Sequence, residues 1–286
     1  MSMSGTERES LQDWVGRSET RTDTLDARPV ALLSATLDRD DPAPRIGALL
    51  PPLWHWLYFL PSYRQSEMGP DGHARRGGFL PPVPLPRRMW AGSRCEWTRP
   101  LRIGDVVTRD SRIVSVTPKR GASGELVFVL VRHEYSTADG PALAEEHDIV
   151  YRGLRPAEAS TNPAAVAAAK ATWTRQIVPD DVLLFRYSAL TFNAHRIHYD
   201  RRYVTEVEGY PGLVVHGPLL ATLLADLLRR NGVGETLRRF EFRARKPLFD
   251  TAAFDVCGRP ADDGTVALWA QGPDGAPAMQ ATATLA

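Results

Sequence analysis

Cysteine is almost missing from this sequence: Cys95 and Cys257 are the two in 286 residues, far apart and in no metal-type spacing. That excludes a disulfide framework or a cysteine-built zinc site as the organising principle, and makes a reducing cytoplasm the expected setting. Net charge is missing too. Lys+Arg total 35 against Asp+Glu 34, so no overall field draws the chain to nucleic acid or to an acidic membrane, and neither partner is expected. Long apolar runs are also absent. The richest, residues 51–61, contains His55 and falls well short of the roughly 20 residues of a membrane-spanning helix, so it reads as a buried strand or helix segment. Residues 1–14 are polar and hold no apolar signal region.

What remains is ordinary globular material, 43% hydrophobic and 24% charged, in a length that suits two domains of about 140 residues. Residues 156–171 are short on large apolar side chains and carry Pro156 and Pro163, which marks a linker between residues 1–155 and 172–286. Each half carries a similar phrase: Glu96-Trp97, Arg99-Pro100-Leu101 and Asp105 in the first, Glu241-Phe242, Lys246-Pro247-Leu248 and Asp250 in the second. Two copies of one small fold are therefore favoured over a single large domain. Strand-like runs follow each phrase, around residues 111–118, 125–135 and 144–152, then 251–259, 265–271 and 278–284. Residues 118–121 are read as a turn. One helix is expected over residues 218–230, where leucines at 219, 220, 223, 224, 227 and 228 form a broad apolar stripe. Pro218 suits its first turn and Asn231-Gly232 its end. The expected class is α+β. A Leu-rich helix clasped by a curved antiparallel sheet is the hotdog architecture, although periodicity alone fits an unrelated α+β domain equally well.

The densest chemistry lies in residues 185–200 and 208–218. Here the chain resembles the MaoC-like hydratase and dehydratase family of hotdog enzymes, whose signature runs Gly-Asp-x-Asn-Pro-aliphatic-His, with a later His-Gly opening the central helix. Phe192 stands at the Gly, Asn193 at the catalytic Asp, His195 at the Asn, Arg196 at the Pro, Ile197 at the aliphatic position and His198 at the catalytic His. His216-Gly217 match the helix-start pair. The variant pattern of residues 188–200 is similar to the mesaconyl-C4-CoA and itaconyl-CoA hydratase branch and to the mitochondrial-type 3-hydroxyacyl-thioester dehydratases. Residues 52–61, 77–92 and 145–152 fit the same branch.

The resemblance implies a tandem hotdog that hydrates an enoyl thioester, with the second copy supplying the chemistry and the first shaping the acyl tunnel. His198 suits the acid–base role because imidazole titrates near neutrality. Asn193 can orient water or the imidazole but cannot take a proton. Gly217 lies where helix N–H groups are unpaired and could hold the thioester oxygen. Arg196 suits a second carboxylate on the acyl group, with Arg88 and Arg94 as alternative clamps; its other reading is an ion pair with Asp200 or Glu206. Tyr187 reads as pocket wall or core, and His216 as a structural residue or a substrate contact. Lys119 and Arg120 are the first choice for contact with CoA phosphates. His195, His198 and Asp200 could form a metal cluster, but lack a third ligand in clear register, so no metal or other cofactor is expected. An acyl-CoA is the expected partner, and a homodimer is left open. The rivals are an R-specific 3-hydroxyacyl-thioester dehydratase, a hotdog thioesterase, which would want an acid where Asn193 stands, and a silent acyl-CoA binder.

Overall fold

The computed structural model describes residues 10–121, 124–153 and 170–286. The expected linker, residues 156–171, lies outside the described residues except at its last two positions.

Ten strands form one antiparallel sheet: β1 Ser18–Thr24, β2 Arg87–Trp97, β3 Val106–Gly121, β4 Gly124–Thr137, β5 Gly140–Arg152, β6 Trp173–Ile177, β7 Leu237–Ala244, β8 Phe254–Pro260, β9 Thr265–Gln271 and β10 Pro277–Leu285. Their order is β1-β3-β4-β5-β2-β7-β10-β9-β8-β6. Outward from the centre each half reads second, fifth, fourth, third, first. The halves are thus two copies of one topology, joined where β2 pairs antiparallel with β7 and Cys95 faces Phe240. The repeated phrase of the sequence begins on these two equivalent strands. The strands alternate as period-2 patterning demands, with Val127, Val129 and Val131 of β4 buried on one face.

Two shorter helices, α1 Ala27–Thr36 and α2 Asp181–Leu190, follow the first strand of each half. The long helix α3, Gly217–Arg230, occurs in the second half and packs on β8, β9 and β10. All six of its leucines are buried, each contributing about 1.5–3 kcal/mol. Its buried Asp226 accepts hydrogen bonds from Arg230 Nε at 2.7 Å, Arg39 at 2.7 Å and Arg175 at 3.3 Å. Arg39 belongs to the first half, so this carboxylate ties the halves together. The tandem hotdog is the observed fold.

Among the described residues the first half has no such helix, and the reason is local. In the second half Val215 N–H bonds Leu248 O at 2.9 Å, and the next two residues open α3; in the first half Leu50 N–H bonds Leu101 O at 2.8 Å in the equivalent place. There the chain makes only a 3-10 turn, Trp54–Leu57. Phe59 then takes a left-handed φ of 56° and Pro61 prevents continuation. The apolar run of residues 51–61 is therefore a buried turn, with Trp54, His55 and Leu57 inside. A cavity of about 730 Å³ lies along the first half's concave face.

Residues 118–121 are not a turn. β3 continues to Gly121, pairing Lys119 with Leu126 and Arg120 with Glu125. Both cysteines are free and buried. Among the described residues no helix is long and apolar enough to cross a membrane.

Candidate active site

Helix α2 ends where the site begins. Asp180 caps its start by accepting from Leu183 N–H at 2.8 Å. At its end, Phe192 N–H bonds Ala189 O at 3.3 Å and Asn193 N–H bonds Ser188 O at 2.8 Å. Phe192 sits left-handed at φ 48°, at the position that usually favours glycine after a helix. That reversal turns Asn193 into the cavity wall, beside Tyr187, Ser188 and Pro218. Asn193 Oδ1 accepts from His195 N–H at 3.0 Å, which leaves the amide NH₂ as its free donor.

His198 is buried, 8% exposed, and like Gly217 is not in the cavity lining. Its Nδ1 is 2.7 Å from Val214 O. A carbonyl only accepts, so Nδ1 carries the proton and Nε2 keeps its lone pair. Burial, aided by the charge of His73 and opposed by the Val214 bond, lowers its pKa to about 4. The ring stacks on His216 at 3.7 Å and meets His195 edge-on at 5.4 Å. His216 Nε2 is 2.8 Å from Ser188 Oγ; burial, with His198 and His195 as neighbours, keeps it neutral far below the usual histidine range. Gly217 starts α3, where the first N–H groups have no partner within the helix. The arrangement offers one basic nitrogen, one amide donor and a positive helix end.

A loop from the first half closes the site. Gly72, at φ +85°, lies so close to Ala194 O that a Cβ there would stand 1.8 Å away, and Arg196 N–H bonds Asp71 O at 2.9 Å. His73 bonds Asp71 at 3.0 Å and its ring lies 3.9 Å from His195. Burial lowers the pKa of both imidazoles, against the pull of Asp71. Asp71, His73 and His195 could converge on a metal ion. However, Arg88 and Arg76 both act on His73, and two guanidinium groups favour an anion over a divalent cation.

The other nominated residues divide. Arg196 does not face the cavity: it pairs with Asp200 at 2.8 Å, donates to Pro70 O at 2.9 Å and covers the Tyr203 ring at 4.1 Å. Asp200 is thereby drawn away from His195 and His198. Arg94 is held by Glu146 at 2.8 Å and Asp148 at 2.7 Å. Arg88 does line the cavity. Lys119 lies over Phe128 at 5.1 Å, and neither it nor Arg120 is in the cavity lining. Tyr187 lines the cavity while bonded to Thr222 at 3.3 Å.

A second buried cluster was not singled out from the sequence. Glu145, 0% exposed, accepts from Trp56 Nε1 at 2.9 Å, Ser93 at 3.1 Å and Tyr135 at 3.0 Å, with His55 Nε2 at 3.0 Å. Burial opposes its ionisation, yet His147 and His55 outweigh that and hold it well below the carboxylate range. The signal was there: Glu145 and His147 are two apart on a strand, beside His133 and Tyr135 in the same alternation, so they share the buried face.

The model of the hydroxyacyl-thioester dehydratase type 2 family matches residues 53–250. The chain is 47% identical to the mesaconyl-C(4)-CoA hydratase of Chloroflexus aurantiacus over 95% of its own length and 96% of that protein's. In structure it resembles a MaoC-like dehydratase from Phytophthora capsici, with TM-score 0.66, 13% identity and coverage of 97% of both chains. It also resembles a Mycobacterium tuberculosis protein described as a double hotdog, with TM-score 0.53, 13% identity and coverage of 94% and 96%. The chain belongs to the hydroxyacyl-thioester dehydratase type 2 family and is a hydro-lyase of the hotdog fold.

Proposed function

We propose that this hydro-lyase adds water reversibly to an enoyl-CoA carrying a second carboxylate, such as the mesaconyl-C4 thioester, to give citramalyl-CoA. His198 Nε2 removes a proton from a water oriented by the Asn193 amide. The resulting hydroxide adds to the β-carbon, and the negative charge moves to the thioester oxygen. The Gly217 N–H and the positive end of α3 stabilise that oxygen, a contribution of about 3–4 kcal/mol per donor in comparable sites. The proton on His198 then passes to the α-carbon, so atoms and charge balance. Residues 172–286 supply this chemistry and residues 1–155 the acyl chamber.

One observation carries the reading. The Val214 carbonyl fixes the His198 tautomer, which leaves a neutral basic nitrogen beside the start of α3. A thioesterase would need a carboxylate near the thioester, and Asn193 stands in its place. The dicarboxylic substrate is supported by the 47% identity to a mesaconyl-C(4)-CoA hydratase and by Arg88 on the cavity wall, where the described residues offer it no ion-pair partner. A cytoplasmic setting, as expected from the sequence, and a homodimer, which the sequence left open, complete the proposal. Measuring kcat/KM for mesaconyl-C4-CoA and crotonyl-CoA tests it. A preference of about 30-fold or more for the dicarboxylic thioester is expected, whereas equal efficiency would favour a fatty-acyl dehydratase.

A further inference from the structure

The two halves present very different inner faces along the same cross-strand rows. In the second half Phe240 faces Ala283, which faces Val266, and Phe242 faces Ala281, which faces Leu268. These apolar rows press on α3. Continued across β2 into the first half, the rows become Cys95, Glu145, His133 and Ser111, then Ser93, His147 and Val131. Where the helix is missing, the wall turns polar and faces the cavity. Buried polar groups are costly unless partnered.

One of them lacks a partner. The Nε1 of Trp90 is fully buried and has no hydrogen-bond acceptor among the described residues. Beside it, His147 Nε2 lies 2.7 Å from Glu145 Oε1, an ion-pair distance. The two rings are 4.3 Å apart, and both residues line the cavity. Trp90 is also next to the start of α3: its carbonyl oxygen lies 4.0 Å from where a Cβ on Gly217 would stand. The Trp90 backbone thus lies beside the helix start, and its ring lines the cavity together with His147 and His133.

We propose that the Trp90 indole N–H and the His147 imidazole form the subsite for the free carboxylate of the acyl group, with Glu145 holding the His147 ring from behind. Glu145 engages the Nε2 side of the His147 ring, while its oxygens also accept from Trp56, Ser93 and Tyr135. The subsite deepens the dicarboxylic reading and rests on it for the identity of the substrate. It is nevertheless testable without turnover, using the saturated thioesters succinyl-CoA and butyryl-CoA as binding probes.

Calorimetric affinities for both probes are measured on the wild type, Trp90→Phe, His147→Gln and Arg88→Gln. The wild type should bind succinyl-CoA at least about 10-fold more tightly than butyryl-CoA, the scale of one hydrogen bond to a charged group. Trp90→Phe keeps the ring and removes the donor, and should erase most of that ratio, as should His147→Gln. A loss shared equally by both probes would show a structural role only and overturn the subsite, as would a ratio that survives both variants or collapses in Arg88→Gln alone. Failure of the wild type to hydrate mesaconyl-C4-CoA, with the probe ratio intact, would overturn the assigned substrate and leave the carboxylate subsite standing.

Discussion

His198 combines two properties that pull against each other. Its carbonyl bond to Val214 leaves Nε2 basic, while burial lowers its pKa to about 4. The proposed base thus stays unprotonated through neutral pH but is weaker than free imidazole. His198→Ala should lower kcat by about 10²–10⁴-fold. For the wild type, kcat/KM should stay level from pH 7 to about 5 and fall as pH drops through about 4, which a pH–rate profile will show. An acid limb centred near 6.5 would mean that the base is another group. Gly217 gives a complementary test. Its φ is not left-handed, and an added Cβ would meet nothing closer than Trp90 O at 4.0 Å. Gly217→Ala should therefore melt within a few degrees of the wild type while kcat/KM drops at least tenfold, because the methyl group stands where the thioester must approach. His198, Asn193 and Gly217 were legible in the sequence as residues of one motif. Of the two readings open for Arg196, it takes the ion pair with Asp200, since a residue four positions from an aspartate on a tight turn can close onto it, and spacing alone does not say which side it takes.

At the scale of elements, the loop bearing Asp71 and His73 is held by one glycine. Gly72 adopts φ +85° against Ala194 O, so Gly72→Ala adds a left-handed penalty of about 1–2 kcal/mol to a backbone clash. The expected result is a lower melting temperature together with loss of activity, because the loop separates from His195. Thermal melts alongside kinetics would show both, and unchanged kinetics would remove this loop from the site. The sequence revealed α3 nearly to the residue, because six leucines and a proline start leave little choice. It did not reveal that residues 51–61 form a turn in place of a second such helix. Apolar residues without a clear period bury equally well in either form, and only the partnership of Leu50 with Leu101 shows the equivalence. The polar wall of β4 and β5 was not singled out, although its alternation is in the sequence: period 2 groups Glu145 with His147 and His133 with Tyr135, and the pairing shows that face to be the inner one.

For the molecule as a whole, acid should be destabilising well before the carboxylates titrate. Five of the seven histidines, His73, His133, His195, His198 and His216, have lowered pKa values, burial being the first cause in each. Unfolded, each takes up a proton near 6.5; folded, each resists until a lower pH. The unfolded state therefore binds more protons, and stability falls as pH drops below about 6.5. His198 alone contributes about 3 kcal/mol over the interval down to about 4. Urea midpoints at pH 7.5, 6 and 5 should decline steadily; a flat response would mean that these rings are protonated in the fold. The tandem organisation was legible from the repeated phrase, whereas the division of labour was expected only through the family resemblance, because composition does not say what fills each concave face. That division has a bearing on how such a chain could arise. In a dimer of identical subunits every mutation appears at both sites, so a change that opens a chamber in one also removes the long helix from the other. Two copies in one gene are free of that constraint: one can give up its helix and turn its inner face polar while the other keeps the machinery intact.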